Sequence, residues 1–242
     1  MDLQNDVFSV FPLEWDSSFF DMNIGKVELF TSQTPQSWEN VQECLKDYEL
    51  VFLHNYNSDP QNAQLIGTTT TAFIADTNIR FSKDTTSYID AYQYINISES
   101  MPHDQDILDM TEFEYSRFLT DPKLRERRGE QVYTEWLRNS FNKKNKFFGC
   151  FMDTSRSSSL LGYILFSFSS NSCEIELLSV STSAFGQGIA QKLFRSAEQC
   201  AFERHIPVVT VGTQLTNMRA VNLYHKLGCK QIACHQIFHL WN

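Results

Sequence analysis

The chain has 242 residues, 42% hydrophobic and 20% charged, with a formal net charge of −9. That is a globular composition, long enough for one large domain or two small ones. Its acidity argues against nucleic acid as a partner, which calls for a basic face, and no apolar run reaches the length of a membrane span, so no membrane partner is expected either.

In chain order, residues 35–48 place Trp38, Val41, Leu45 and Tyr48 at three- and four-residue steps, which predicts an amphipathic helix. ELVFLHNY reads as a strand. DPQNAQLIG reads as a short helix opened by Pro60 and closed by Gly67, and TAFIADTNIRFS as a second extended run. The polar stretch 83–87 breaks the pattern and sets an expected division into a domain over 1–86 and another over 87–242. Residues 107–141 are helical in pieces, interrupted at Asp121-Pro122. KFFGCFM, LLGYILFSF (after the serine-rich 155–159) and CEIELLSV are predicted strands. A helix follows over 188–204, then the short strand PVVTVGTQ, a helix over 218–227 ending at Gly228, and a last strand, CHQIFHLW. This order makes the second half α/β. A loose internal echo links NAQLIGTTTTAFIADTNIRF to VNLYHKLGCKQIACHQIFHLW, suggesting that the N-terminal half is a partial copy of the C-terminal one.

The opening MDLQNDVFSV lacks the features of a secretory signal. The six cysteines (Cys44, Cys150, Cys173, Cys200, Cys229, Cys234) form no CxxC pair. They read as small buried hydrophobes of a reducing cytoplasm, and a cytoplasmic location is expected. No metal is expected, because the six histidines show no ligand spacing; His54 and His103 are isolated, and His235 and His239 suit surface or packing roles on a strand.

The glycines of SAFGQGIA, residues 183–190, stand between a strand-like and a helix-like run. They can serve a plain strand-to-helix turn or cradle a phosphate at a helix N-terminus. A dinucleotide fold would place them in the first βα turn with an acid ending the next strand. Here they come late, and the next strand ends in Thr213-Gln214. The acyl-CoA pyrophosphate is the better match. Asn217, Ala220 and Tyr224 share one helix face; each alone would read as an N-cap or a half-buried aromatic.

LLSVSTSAFGQGIAQKL together with TNMRAVNLYHKLG resembles motifs A and B of the GNAT acyltransferase superfamily, whose loop pattern is Gln/Arg-x-x-Gly-x-Gly/Ala. Gly188 and Ala190 match, and Phe185 departs from the usual Gln or Arg. PLEWDSSFF, SRFLTDP, YTEWLRNSF and the terminal FHLW are further similar to the dTDP-fucosamine acetyltransferase subgroup, which acetylates the 4-amino group of a nucleotide-linked dideoxyhexose. The resemblance implies a mixed, mostly antiparallel central sheet flanked by helices, with a truncated GNAT-like N-terminal half. It implies acetyl-CoA as co-substrate, held by Leu178, Ser179, Val180, Phe185, Gly186, Gln187, Gly188, Ile189, Ala190, Asn217 and Ala220. It also implies a bulge in the strand ELLSV that exposes main-chain amides to the thioester.

In that scheme Tyr224 is the general acid, since a phenol (pKa about 10) stays protonated at neutral pH and can donate to a thiolate (about 8.5). The resemblance places the base at Asp76; Glu174 and Glu176 lie on the central strand, as bases do in other family members, and Glu176 is the alternative. Arg117 and Arg80 are the expected cations for a sugar-nucleotide diphosphate, while Arg125, Arg127 and Arg128 read as a solvated face. A different amine acceptor (a protein N-terminus, a lysine, a polyamine) and a non-catalytic acyl-CoA binder stay open, and a homodimer is compatible with all three.

Overall fold

The computed structural model describes residues 3–4, 6–85, 95–111, 113–153 and 159–242. The elements are β1 (Leu3–Gln4), β2 (Phe8–Pro12), α1 (Glu14–Phe20), β3 (Ile24–Leu29), α2 (Pro35–Leu45), β4 (Leu50–Asn55), α3 (Pro60–Thr69), β5 (Phe73–Asp84) and β6 (Ile95–Glu99). They continue with α4 (Gln105–Leu108), α5 (Arg117–Thr120), α6 (Pro122–Glu126), α7 (Val132–Ser140), β7 (Phe147–Asp153), β8 (Ser159–Phe168), β9 (Ser172–Val180), α8 (Ile189–Glu203), β10 (Val208–Gln214), α9 (Met218–Lys226) and β11 (Lys230–Trp241).

The strands form one 11-stranded sheet in the order β1-β2-β3-β4-β11-β5-β10-β9-β8-β7-β6. The pairs β3–β4 and β9–β10 are parallel; the other pairs among the described residues are antiparallel. Helices cover both faces. On one face α8 and α9 bury Leu193, Phe194 and Val221 against Ile79, Phe81 and Val211. On the other, α4 and α7 bury Ile107 and Leu137 against Phe148, Tyr163 and Leu165.

Local rules account for the helix starts. Thr34 accepts from Ser37 N–H and Ser37 returns the bond, a reciprocal cap with Pro35 at the first helical position, so α2 begins there. Its Trp38, Val41 and Leu45 are buried as the spacing predicts. Asp59 caps α3 by accepting from Asn62 N–H, with Pro60 at the first helical position and no return bond. Gly67 does not close α3: the helix runs on to Thr69, and the turn comes at Thr70, whose backbone is extended while its hydroxyl bonds back to Ile66 O. The sequence pattern also missed β2, α1, β3 and the edge strand β6, each too short for its periodicity to stand out.

The internal echo has a structural counterpart. Within the N-terminal half, β4–α3–β5 follows the same course as β10–α9–β11. In each unit the last strand does not pair with its own predecessor: β11 lies between β4 and β5, and β5 lies between β11 and β10. Both exchanged strands have 12 residues and run antiparallel to each other. The two halves are therefore joined by continuous main-chain hydrogen bonding. Of the polar stretch 83–87, Lys83 and Asp84 still belong to β5; the expected boundary at 86/87 lies outside the described residues.

Candidate active site

The parallel strands β9 and β10 separate part-way along. They pair from Ser172/Val208 to Ile175/Val211 and no further, although β9 continues to Val180 and β10 to Gln214. The register of β9 against β8 slips at the same level, with Leu177 opposite Leu165 and Ile175 opposite Phe166, so Glu176 is the extra residue of a bulge. A bulge bends its strand and increases the local twist, which opens the gap. Ser181 N–H donates to Leu161 O on the β8 side. Main-chain groups alternate along a strand, so Leu178 and Val180 turn their amides toward the gap, while the Ser179 hydroxyl donates to Met110 O.

At the end of β9 the chain enters the glycine loop. Gly186 and Gly188 have φ of 79° and 76°, in the left-handed region that costs other residues about 1–2 kcal/mol. Nothing lies within 4 Å of where either Cβ would stand, so the glycines face open space. Gly188 is the N-cap of α8 and no side chain caps that helix, which leaves its first N–H groups and the positive end of its dipole for an anion. The corresponding helix of the N-terminal half, α2, is closed by its Thr34–Ser37 cap, and β3 and β4 stay paired over their full lengths. Among the described residues, only the C-terminal unit offers a gap with an uncapped helix.

Phe185 is 43% exposed, and the guanidinium of Arg219, in the first turn of α9, lies 4.2 Å from its ring centroid. A cation thus reaches the loop from another helix. Asn217 is the N-cap of α9, its Oδ1 accepting from Ala220 N–H at 3.1 Å. Tyr224 is 5% exposed and packs against Phe81 and Phe194. Burial pushes its phenol well above the ordinary value.

A cavity of about 300 Å³ lies at the C-terminal end of β10. Gln214, Leu215 and Thr216, just beyond the stretch of β10 that pairs with β9, form one wall; Asp76 and Thr77 of β5 and Ser116 and Arg117 form others. Asp76 and Arg117, 41 residues apart in sequence, therefore share one site. Burial raises the Asp76 pKa, and the Arg117 charge opposes that rise in part. Arg117 stacks on Phe52 and Phe118 at 5.0 and 4.5 Å, and its Nε has no hydrogen-bond partner. No carboxylate lies within 4 Å of it among the described residues. Asp121, a partner that its own helical segment would suggest, is taken instead by His239 Nδ1 at 2.7 Å and Trp241 Nε1 at 3.0 Å.

The model of the Acetyltransferase (GNAT) family matches residues 106–229, just over half of the chain. The chain belongs to the GNAT family. It is an acyltransferase of a fold class that takes acetyl-CoA as co-substrate. Spore coat polysaccharide biosynthesis protein SpsD of Bacillus subtilis (strain 168) is 21% identical over 237 residues, 94% of this chain and 81% of that protein. Among solved structures, a GCN5-related N-acetyltransferase from Sphaerobacter thermophilus aligns with a TM-score of 0.65 at 12% identity, over 97% of this chain and 76% of its own. One from Kribbella flavida aligns with a TM-score of 0.63 at 10% identity, over 99% and 89%. At such identities the likeness concerns the fold.

Within this GNAT fold, the charged residues on β5 and β9 meet one another. Arg80 does not line the cavity: both ends of its guanidinium bond Glu174 at 2.8 Å, and Thr210 bonds the same carboxylate. This bidentate pair commits two of the guanidinium's five N–H donors and both oxygens of Glu174. Glu176 is likewise engaged, accepting from Lys146 at 2.6 Å and from Trp136 at 3.3 Å, with Ser167 on the same carboxylate. Asp76 and Glu114 line the cavity, and neither has an ion pair among the described residues.

Sequence reasoning also missed site neighbours. Tyr133 is half-buried, with its phenol close to Ser116, Gln214 and Asp76. Asp16 faces Arg117, and its pKa is raised by burial in spite of that charge. Tyr133 lay hidden in the apolar face of α7, and Asp16 in a helix of seven residues.

Proposed function

We propose that this GNAT enzyme moves the acetyl group of acetyl-CoA to the amino group of a nucleotide-linked amino sugar, of the dTDP-4-amino-dideoxyhexose type. The observation that carries this reading is the cavity that joins Asp76 to Arg117 at the end of β10, beyond the stretch that pairs with β9. The thioester would lie in the gap against Leu178 and Val180, and its pyrophosphate on the amides of 186–190 with Arg219 beside them. The acceptor amine would enter from the cavity, lose a proton to Asp76, and attack the carbonyl directly. Tyr224 would then protonate the departing thiolate. The likeness to SpsD, a spore coat polysaccharide biosynthesis protein, supports an acceptor of this class. Incubating the enzyme and acetyl-CoA with a panel of nucleotide-linked amino sugars, and following the acetylated product by mass spectrometry, tests it. A panel with no product would overturn the acceptor.

One observation favours a second acceptor. Asp16, Asp76 and Glu114 surround a single cation, Arg117, and such a site also suits a polycationic amine. Polyamines therefore belong in the same panel.

Two variants probe the two ends of the site. Gly188→Asn should raise the Kd for acetyl-CoA at least tenfold with the fold retained, because asparagine tolerates the left-handed region and its side chain projects into open space where the phosphate must sit. Valine there would add backbone strain and confuse the result. Isothermal titration with acetyl-CoA gives the answer; parental affinity would remove the loop from the site. Arg117→Ala should raise the acceptor KM about tenfold and leave the acetyl-CoA KM unchanged, since arginine's planar fork binds phosphate or sugar oxygens directly. Equal effects on both substrates would mark Arg117 as structural.

A further inference from the structure

The sequence reading assigns Arg125, Arg127 and Arg128 to a solvated face, yet the structure lays two of them on aromatic rings. Arg127 and Lys123 lie 5.8 and 4.6 Å from the Trp241 ring, and Arg128 lies 5.2 Å from Phe19. Trp15, 40% exposed, stacks on Phe19 at 5.1 Å and 12°. Among the described residues none of these three cations has a carboxylate within 4 Å, although Glu126 and Glu130 belong to the same segment and the chain carries a net charge of −9. Cations held by ring faces keep most of their N–H donors free for a ligand.

The backbone is built to place them. Arg128 has φ of 68°, a conformation that an arginine adopts at a cost, and its Nη2 donates to Phe19 O at 2.8 Å. The next residue must be glycine, because a Cβ on Gly129 would collide with the carbonyl oxygens of Phe118 and Leu124. Asp121 then ties the patch to the cavity: it caps α6 through Lys123 N–H and holds both Trp241 and His239. Along β11, Trp241 stands four residues beyond Ile237, the neighbour of Asp76 across the strands. That is about 14 Å of strand, comparable with a hexose carrying a diphosphate.

We infer that the α1–α6 patch is the nucleotide subsite of the acceptor: Lys123, Arg127 and Arg128 take the diphosphate, and the exposed face of Trp15 stacks the nucleobase. This rests on the acceptor reading above. It places the sugar between the patch and Asp76, and it gives the diphosphate cations that, unlike Arg80, have no carboxylate partner among the described residues. Base-on-aromatic stacking contributes about 1–3 kcal/mol in nucleic-acid complexes.

The test is calorimetric titration of thymidine diphosphate, and separately of inorganic pyrophosphate, into enzyme saturated with CoA so that the glycine loop is occupied. The parent should bind both. Arg127→Gln/Arg128→Gln should weaken both at least tenfold, while Trp15→Ala should weaken the nucleotide about tenfold and leave pyrophosphate unchanged. Melting temperatures verify folding, and a single Arg128→Lys variant should retain part of the affinity. Absence of thymidine diphosphate binding by the parent, or unchanged affinity in the folded double variant, would overturn the inference. Since no turnover is needed, the patch is judged separately from the acceptor: a parent that binds the nucleotide but acetylates no amino-sugar nucleotide refutes the acceptor reading and keeps the subsite.

Discussion

Replacing Tyr224 with phenylalanine is expected to lower kcat about a hundredfold, the usual loss when a general acid is removed, with the acetyl-CoA KM nearly unchanged. The split arises because the hydroxyl acts as the thiolate leaves and contributes little to ground-state binding. Packing against Phe81 and Phe194 is retained in the variant, so the fold should hold. Because burial raises the Tyr224 pKa above its ordinary value of about 10, the acid form persists through the whole neutral and mildly alkaline range. The parent's kcat should therefore show no alkaline fall from this group below about pH 10. Steady-state kinetics on the two proteins decides it; a phenylalanine variant turning over like the parent would place the proton donor elsewhere.

Asp76→Asn is expected to lower kcat by a similar factor, on the order of a hundred, and to abolish the acid limb of the pH profile. The sign follows from the environment. Burial destabilises the carboxylate, so its pKa lies above the ordinary value of about 3.9, and the basic form is lost as pH falls through that raised value. In the parent, kcat/KM for the acceptor should fall as pH drops through that raised value. Arg117→Ala should move the limb upward, since the arginine is the charge that opposes the rise. The same shift predicts a stability effect of opposite direction. A carboxylate whose folded-state pKa is raised costs stability at every pH above that value, so Asp76→Asn should melt at a higher temperature than the parent at pH 8. Lower turnover with a higher melting point is the mark of a residue kept for chemistry. A variant with parental kcat, or one that melts lower, would show that Asp76 is packing and not a base.

The glycine loop, the strand that leads into it, the helices on either side and the Tyr224 face were all legible in the residues, because each is a local feature. Gly186 and Gly188 stand where the chain needs positive φ, and helical spacing puts Asn217, Ala220 and Tyr224 on one face whatever surrounds them. The internal echo was legible as well, but not what the fold does with it. That β5 and β11 exchange places depends on hydrogen bonds between strands more than 140 residues apart, and no periodicity records a pairing partner. The same limit applied to the charges. Arg80 and Arg117 look alike in sequence, each an arginine on or beside a half-buried element. Only the register Thr210↔Ser82 and Thr210↔Glu174 brings Glu174 within reach of Arg80 and uses its charge up. Only the tie of Asp121 to His239 and Trp241 removes a carboxylate that Arg117 would otherwise find nearby in sequence. Whether a charged side chain meets a ligand or an internal partner is set by which other strand arrives beside it, and that is decided by long-range burial and pairing rather than by its neighbours along the chain.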